Sequence, residues 1–428
     1  MYSFLIEGGH PLKGEVYPAG NKNAALPLLT ACLLSEEPIT LRNMPEIGDA
    51  RAMRRLLESL GATVDLLEPN TWRVHAKEVH QGNLDPDLCR QIRASILLAG
   101  PMLGRTGGIE LPPPGGDVIG RRRIDTHLLA LRELGAETSY RDRQFRLRAK
   151  QGLRGANILL DEASVTATEN AIMAAVRAEG ETVIRNAASE PHIQDLCRFL
   201  NHLGAKIEQI GSNTLHIRGV DHLTGGDFTI GPDYLEVVSF IGAAAVTGGE
   251  IRIRNAGVEH LDMIHMVFQR LGVTWQVDGN DVLVPPEQPL KVISDHGGAI
   301  PEISVMPWPA FPTDLMSIAI IVATQSQGSV LFHDWMYETR MFFIDKLVSM
   351  GARVILCDPH RCIVEGPTQL VGETLESPDI RAGMALVLAA LAAEGDSQIR
   401  NIGQIERGYE RIDEKLRALG ARVQRVEG

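Results

Sequence analysis

An α+β chain of two pseudo-symmetric domains, with three repeats in each, is the fold class this sequence predicts, on three observations. The motif L-x-x-[LM]-G-[AV] recurs at Leu57–Ala62, Leu131–Ala136, Leu200–Ala205, Leu347–Ala352 and Leu416–Ala421, with Phe268–Val273 as a sixth copy. Its glycines are spaced by 74, 69, 68, 79 and 69 residues, which marks a repeat architecture. A mostly apolar helix precedes each copy, and 428 residues exceed what one hydrophobic core ordinarily serves.

The repeat explains its elements in order. An apolar helix runs through Ala24–Leu34, Ala94–Leu103, Ala167–Ala178, Leu235–Val246, Leu315–Thr324 and Ala382–Ala393. A helix apolar on nearly all sides belongs inside the protein. A turn and a β-branched strand follow, several ending in Arg-Asn, as at Ile39–Asn43, Val183–Asn186, Ile251–Asn255 and Ile399–Asn401. An amphipathic helix comes next, and the motif glycine ends it as a C-cap before a strand such as Thr63–Leu66 or Arg353–Cys357. Three such units pooling their apolar helices make one domain, and six make two.

The first turns of the buried helices carry Asn21-Lys22-Asn23, Arg93, Ser164-Val165-Thr166, Asp233, Thr313-Asp314, and Asp379 with Arg381. Helix N-termini suit anions, so a set of them gathered at one cleft would bind one. Ser164, Asp233, Thr313 and Asp379 also read as ordinary caps. Capping does not explain Lys22 and Arg93, because a cation at a helix start opposes the dipole. Between two repeats lies Leu111–His127, LPPPGGDVIGRRRIDTH. Its prolines stiffen the approach, Gly115-Gly116 frees the backbone, and Asp117 precedes the Arg121–Arg123 triple. Such a loop could close over an anion.

Composition narrows the function classes. Hydrophobic residues at 44% and charged residues at 22% describe a globular chain. No apolar run reaches the roughly 18 residues of a membrane span. A net charge of −12 argues against a nucleic-acid partner. The N-terminal stretch carries no secretory pattern, and five scattered cysteines suit a reducing compartment, so a cytoplasmic place is expected. Cys357-Asp-Pro-His-Arg-Cys362 reads as a turn between strands and not as half of a metal site. Metalloprotease, P-loop and dinucleotide motifs do not occur.

The segments AGNKNAALPLLTACLL, RASILLAGP, PGGDVIG with RRRIDTH, SVTATENAIMAAV, AFPTD and IERGYERIDEKLRALGA resemble the UDP-N-acetylglucosamine 1-carboxyvinyltransferase family from end to end. The resemblance implies two domains of inverse α/β repeats, with residues 22–231 in one and 1–21 plus 232–428 in the other, and the site in the cleft between them. It also implies enolpyruvyl transfer from phosphoenolpyruvate to the 3-hydroxyl of UDP-N-acetylglucosamine in peptidoglycan precursor synthesis. No metal or organic cofactor is implied. No nucleic-acid or membrane partner is expected, and the chain is expected as a monomer or weak oligomer.

Carried over by the same resemblance, Lys22, Asn23, Arg122 and Arg407 bind phosphoenolpyruvate. Asn23, Arg93, Arg122, Arg123, Ile124, Asp125, His127, Ser164, Val165, Thr166, Asp314 and Met336 bind the acceptor, with Asp125 and His127 lining the uridine pocket. Asp314 takes the hydroxyl proton, Asp117 carries a proton at the loop, and Arg340, Asp379 and Arg381 complete the cleft. The chain departs from the family pattern at Asp117, where cysteine is usual, and at Arg123, Thr166 and Tyr234. The carboxylate at 117 implies insensitivity to fosfomycin, which alkylates the cysteine. Two alternatives compete: another acceptor, such as shikimate 3-phosphate or a different nucleotide, and a silent paralogue that only binds UDP-sugar.

Overall fold

A computed structural model of the chain describes residues 2–81, 84–117 and 119–427. Val118, inside the loop expected to carry chemistry, lies outside the described residues. The chain divides into two compact units. One, the mid-chain unit, is Gly20–Asp117 with Arg122–Gly231; the other, the terminal unit, is Met1–Ala19, Val118–Arg121 and Pro232–Gly428. The first division therefore falls between Ala19 and Gly20, two residues earlier than the boundary the resemblance implies, and Val118–Arg121 groups with the terminal unit.

Each unit buries three apolar helices in its own core. In the mid-chain unit these are Lys22–Ala31, Ala99–Thr106 and Val165–Ala175. In the terminal unit they are Tyr234–Thr247, Met316–Gln325 and Ile380–Ala392. Two of the expected helices are shorter than their apolar runs because a 3-10 turn replaces one end. Cys32–Leu34 continues the first, and Arg93–Leu98 leads into the second.

Among the described residues, five four-stranded sheets and one three-stranded sheet lie around these helices. Four of these sheets share one pattern. The strand after the buried helix, such as Ile39–Arg42, pairs antiparallel with the last strand of its repeat, Thr71–His75, which pairs antiparallel with Thr63–Glu68. A fourth strand lies parallel on the open edge, here Gly226–Thr229 from the far end of the unit. That pairing closes the mid-chain unit on itself. The terminal unit closes comparably, with Tyr2–Glu7 antiparallel between Asp396–Arg400 and Arg422–Glu427. The strand ends reading Arg-Asn also have a physical basis: Asn43, Asn186, Asn255 and Asn401 all take positive φ, a conformation asparagine tolerates. Cys357 and Cys362 lie in the hairpin of Arg353–Asp358 with Arg361–Gly366, as the turn reading expected.

The recurring motif is a Schellman cap. In all six copies its last residue donates an N–H to the carbonyl of its first, as Ala62 does to Leu57 and Val273 to Phe268. The glycine donates three residues back, as Gly61 does to Glu58. All six glycines have positive φ, from 78° to 102°. Leucine or methionine before the glycine is buried in every copy, so the cap also anchors the amphipathic helix on the core.

Gly204 isolates the backbone cost of this cap, because a Cβ there would meet nothing within 4 Å although φ is +101°. Gly204→Ala is expected to lose about 1 kcal/mol of stability through strain alone. Equilibrium denaturation checks this, and an unchanged midpoint would remove strain as the reason for the motif's glycine.

Candidate active site

The mid-chain unit gathers its candidates around two helix starts. Asn21 caps Lys22–Ala31 by accepting from the N–H groups of Asn23 and Ala24. Lys22 is the first helical residue and only 7% exposed. Its ammonium meets the Asp49 carboxylate at 2.8 Å, and Asp49 is itself buried in the first turn of Gly48–Ser59. The pair explains how a cation survives at a buried helix start. Asp49 was missed from the sequence because an acid in a helix's first turn looks like an ordinary dipole partner.

Arg93 organises the loop. One guanidinium nitrogen donates to the carbonyls of both Arg122 and Arg123, at 2.7 and 2.8 Å. The stem corrects the expectation of a freely hinged Gly115-Gly116. Gly115 and Gly116 donate to the carbonyls of Cys89 and Arg90, at 3.0 and 3.2 Å. A Cβ on Gly115 would sit 1.7 Å from the Arg90 oxygen, so this glycine serves close backbone approach. Asp117 follows directly and is half-buried, as is Arg122. Arg123 is exposed and pairs with Asp125 at 3.1 Å and Asp161 at 3.4 Å. Ile124 is half-buried and precedes the helix Asp125–Glu133.

His127 in that helix is 1% exposed. Both ring nitrogens are engaged within the unit, Nδ1 by Asn170 at 2.8 Å and Nε2 by Thr166 at 3.0 Å. Ser164 precedes Val165–Ala175 but makes no side-chain cap, contrary to its reading as one, while Val165 and Thr166 form the first turn.

In the terminal unit, Asp314 lies between two buried guanidiniums. Arg340 reaches one carboxylate oxygen at 2.9 Å and Arg381 the other at 3.3 Å. Arg340 is 4% and Arg381 5% exposed, whereas the Asp314 side chain keeps 29% of its surface. Arg381 also lies 5.5 Å from the centre of the Tyr409 ring. Asp379 caps the helix that carries Arg381, and Asp233 caps Tyr234–Thr247.

Thr313 corrects its reading as a cap: its hydroxyl donates to Asp334 at 2.5 Å. Asp334 is fully buried and also accepts the N–H groups of Met336 and Tyr337, so it shapes the turn leading to Arg340. Burial pushes its carboxyl above the usual range, and the Thr313 bond opposes that. Asp334 too was missed, although the repeat signals it. It stands where four other repeats carry Asn.

Ile119 and Arg121 belong to this unit: the Thr339 N–H donates to the Ile119 carbonyl at 3.3 Å, and the Arg121 N–H to the Glu338 carboxylate at 3.0 Å. Arg407 is half-buried and donates to Gln404 at 3.0 Å. Tyr234 is buried with its ring 5.9 Å from that of Trp308, so this departure from the family pattern is absorbed by apolar packing.

Burial, with Arg93 adding to it, lowers the His127 pKa to about 3. The folded chain thus keeps His127 neutral where the unfolded chain, with an ordinary pKa near 6.5, takes up a proton. Stability from this group is complete above about pH 6.5 and is lost as pH falls, by up to about 1.4 kcal/mol per unit. Urea titrations between about pH 4 and 7 should therefore show a shallower acid loss in His127→Gln than in wild type. Identical slopes would contradict this.

The profile of the EPSP synthase (3-phosphoshikimate 1-carboxyvinyltransferase) family matches residues 6–416. UDP-N-acetylglucosamine 1-carboxyvinyltransferase of Bradyrhizobium diazoefficiens is 56% identical over 423 residues, covering 99% of this chain and 98% of the relative. The enzyme of that name from Treponema denticola is 52% identical over 427 residues, covering all of both chains. The crystal structure of the enolpyruvyl transferase NikO from Streptomyces tendae superposes with a TM-score of 0.88 at 25% identity, covering 100% of this chain and 99% of that one. EPSP synthase from Acinetobacter baumannii, at 18% identity and full coverage of both chains, shares the fold with a TM-score of 0.75. With identity above one half along its whole length, the chain belongs to the UDP-N-acetylglucosamine 1-carboxyvinyltransferase family.

Proposed function

We propose that the protein transfers the enolpyruvyl group of phosphoenolpyruvate to the 3-hydroxyl of UDP-N-acetylglucosamine and releases phosphate, in the cytoplasm, as a monomer or weak oligomer. The observation that carries the reading is the end-to-end identity of 50–56% with enzymes of that name. Among the described residues no helix is long and apolar enough to cross a membrane.

Phosphoenolpyruvate brings about three negative charges, which Lys22, Arg122 and Arg407 neutralise and orient with Asn23. Asn23, Arg122, Arg123, Ile124, Asp125 and Met336 contact the acceptor. Ser164, Val165 and Thr166 hold its diphosphate through backbone N–H groups. Arg93 and His127 act through the loop and through Thr166. Asp49 holds Lys22 in place.

Asp314 draws the proton from the acceptor hydroxyl as its oxygen bonds to C2 of phosphoenolpyruvate, and Asp117 delivers a proton to C3. The resulting ketal loses the C3 proton, the C2–O bond to phosphate breaks, and the enol ether remains. Arg340 and Arg381, anchored with Asp379, fix the orientation of the base. The loop carrying Asp117 keeps water from the reacting atoms.

Phosphate release measured with phosphoenolpyruvate and a panel of acceptors tests the reading. Turnover with UDP-N-acetylglucosamine is expected. Turnover with shikimate 3-phosphate alone, or with none, would overturn it. Asp314→Asn should bind UDP-N-acetylglucosamine yet lose about 100-fold or more in kcat, because an amide accepts no proton. A normal rate with a lowered melting temperature would instead make Asp314 a structural link between the two arginines.

A carboxylate is a weak nucleophile towards an unactivated epoxide, so the native enzyme should turn over in the presence of fosfomycin. Asp117→Cys should become sensitive through an adduct on residue 117. Mass spectrometry decides the matter, and a stoichiometric adduct on the native chain would contradict the assignment.

A further inference from the structure

Thr166 ends a chain of hydrogen bonds that runs in one direction only. The Gly100 N–H donates to Asn170 Oδ1 at 2.8 Å, which fixes the amide orientation. Asn170 Nδ2 therefore donates, to the Ile96 carbonyl and to His127 Nδ1, both at 2.8 Å. A ring nitrogen that accepts carries no proton, so neutral His127 holds its proton on Nε2. Nε2–H then donates to Thr166 Oγ1 at 3.0 Å. Asn170 and His127 are buried, whereas Thr166 is half-buried. With His127 occupying its oxygen, the Thr166 hydroxyl has its own proton left to give.

We infer that Thr166 is a specificity-determining residue, its side-chain hydroxyl donating to a diphosphate oxygen of the sugar-nucleotide acceptor, with His127 and Asn170 as positioning residues. The inference rests on the enolpyruvyl transfer proposed above and adds a side-chain donor to a turn otherwise assigned through its backbone. Ser164 supports it by leaving this helix start without a side-chain cap. A small or aliphatic side chain at 166 would offer backbone N–H groups alone.

Steady-state kinetics of Thr166→Val and Thr166→Ser, with UDP-N-acetylglucosamine and phosphoenolpyruvate varied separately, test this. Thr166→Val should raise KM for the acceptor by about tenfold or more, the loss of a hydrogen bond to a charged group. KM for phosphoenolpyruvate and kcat should change far less, and Thr166→Ser should restore the acceptor KM. The ¹⁵N shifts of His127 should show a protonated Nε2 and an unprotonated Nδ1. An unchanged acceptor KM in an active Thr166→Val enzyme, or a proton on Nδ1, would overturn the inference and leave the parent reading standing. Wild-type protein that neither binds UDP-N-acetylglucosamine nor releases phosphate would overturn both.

Discussion

Six helices that are apolar on nearly every side must be kept from water, and that constraint shapes both units. Burying such a helix leaves the N–H groups of its first turn to be satisfied by something other than solvent. Asn21, Asp233 and Asp379 do this with side-chain caps. Beside two of those caps the chain places buried cations, Lys22 and Arg381, where the helix dipole disfavours positive charge. Each is held by a carboxylate, Asp49 for Lys22 and Asp314 for Arg381. A fold seeking stability alone has no use for these pairs, since buried ion pairs often contribute less than apolar replacements.

The repeat that makes the fold also exposes its exceptions. Four of the six repeats follow the strand after the buried helix with an asparagine in a left-handed conformation. In the second repeat, Pro112 follows Gly108–Leu111 and leads into the loop that Arg93 clamps. In the fifth, Asp334 follows Gly328–His333 and shapes the turn towards Arg340. Natural sequences give up local consistency chiefly at functional sites, and both departures lead to residues proposed above for the reaction.

Much of this was legible in the residues. The six-copy motif specifies a Schellman cap because its first residue, its glycine and its last residue each have a separate task in that cap. The apolar helices were legible because no surface position tolerates them. The docking of Gly115 on Arg90 was not, because a glycine needed for close approach and one needed for flexibility look alike without the neighbouring backbone. The burial of His127 was hidden for a related reason: its partner Asn170 is 43 residues away and belongs to another helix. Asp49 and Asp334 were passed over as single acids in unremarkable settings. Only their partners, Lys22 and Thr313, give them a role.

We propose that the charged residues at the buried helix starts serve the reaction at the expense of the fold. Lys22→Met combined with Asp49→Leu tests it most directly, by replacing the buried ion pair with apolar side chains. Phosphate release from phosphoenolpyruvate with UDP-N-acetylglucosamine should vanish, while the melting temperature stays level or rises. Retained turnover, or a melting temperature many degrees lower, would contradict the account.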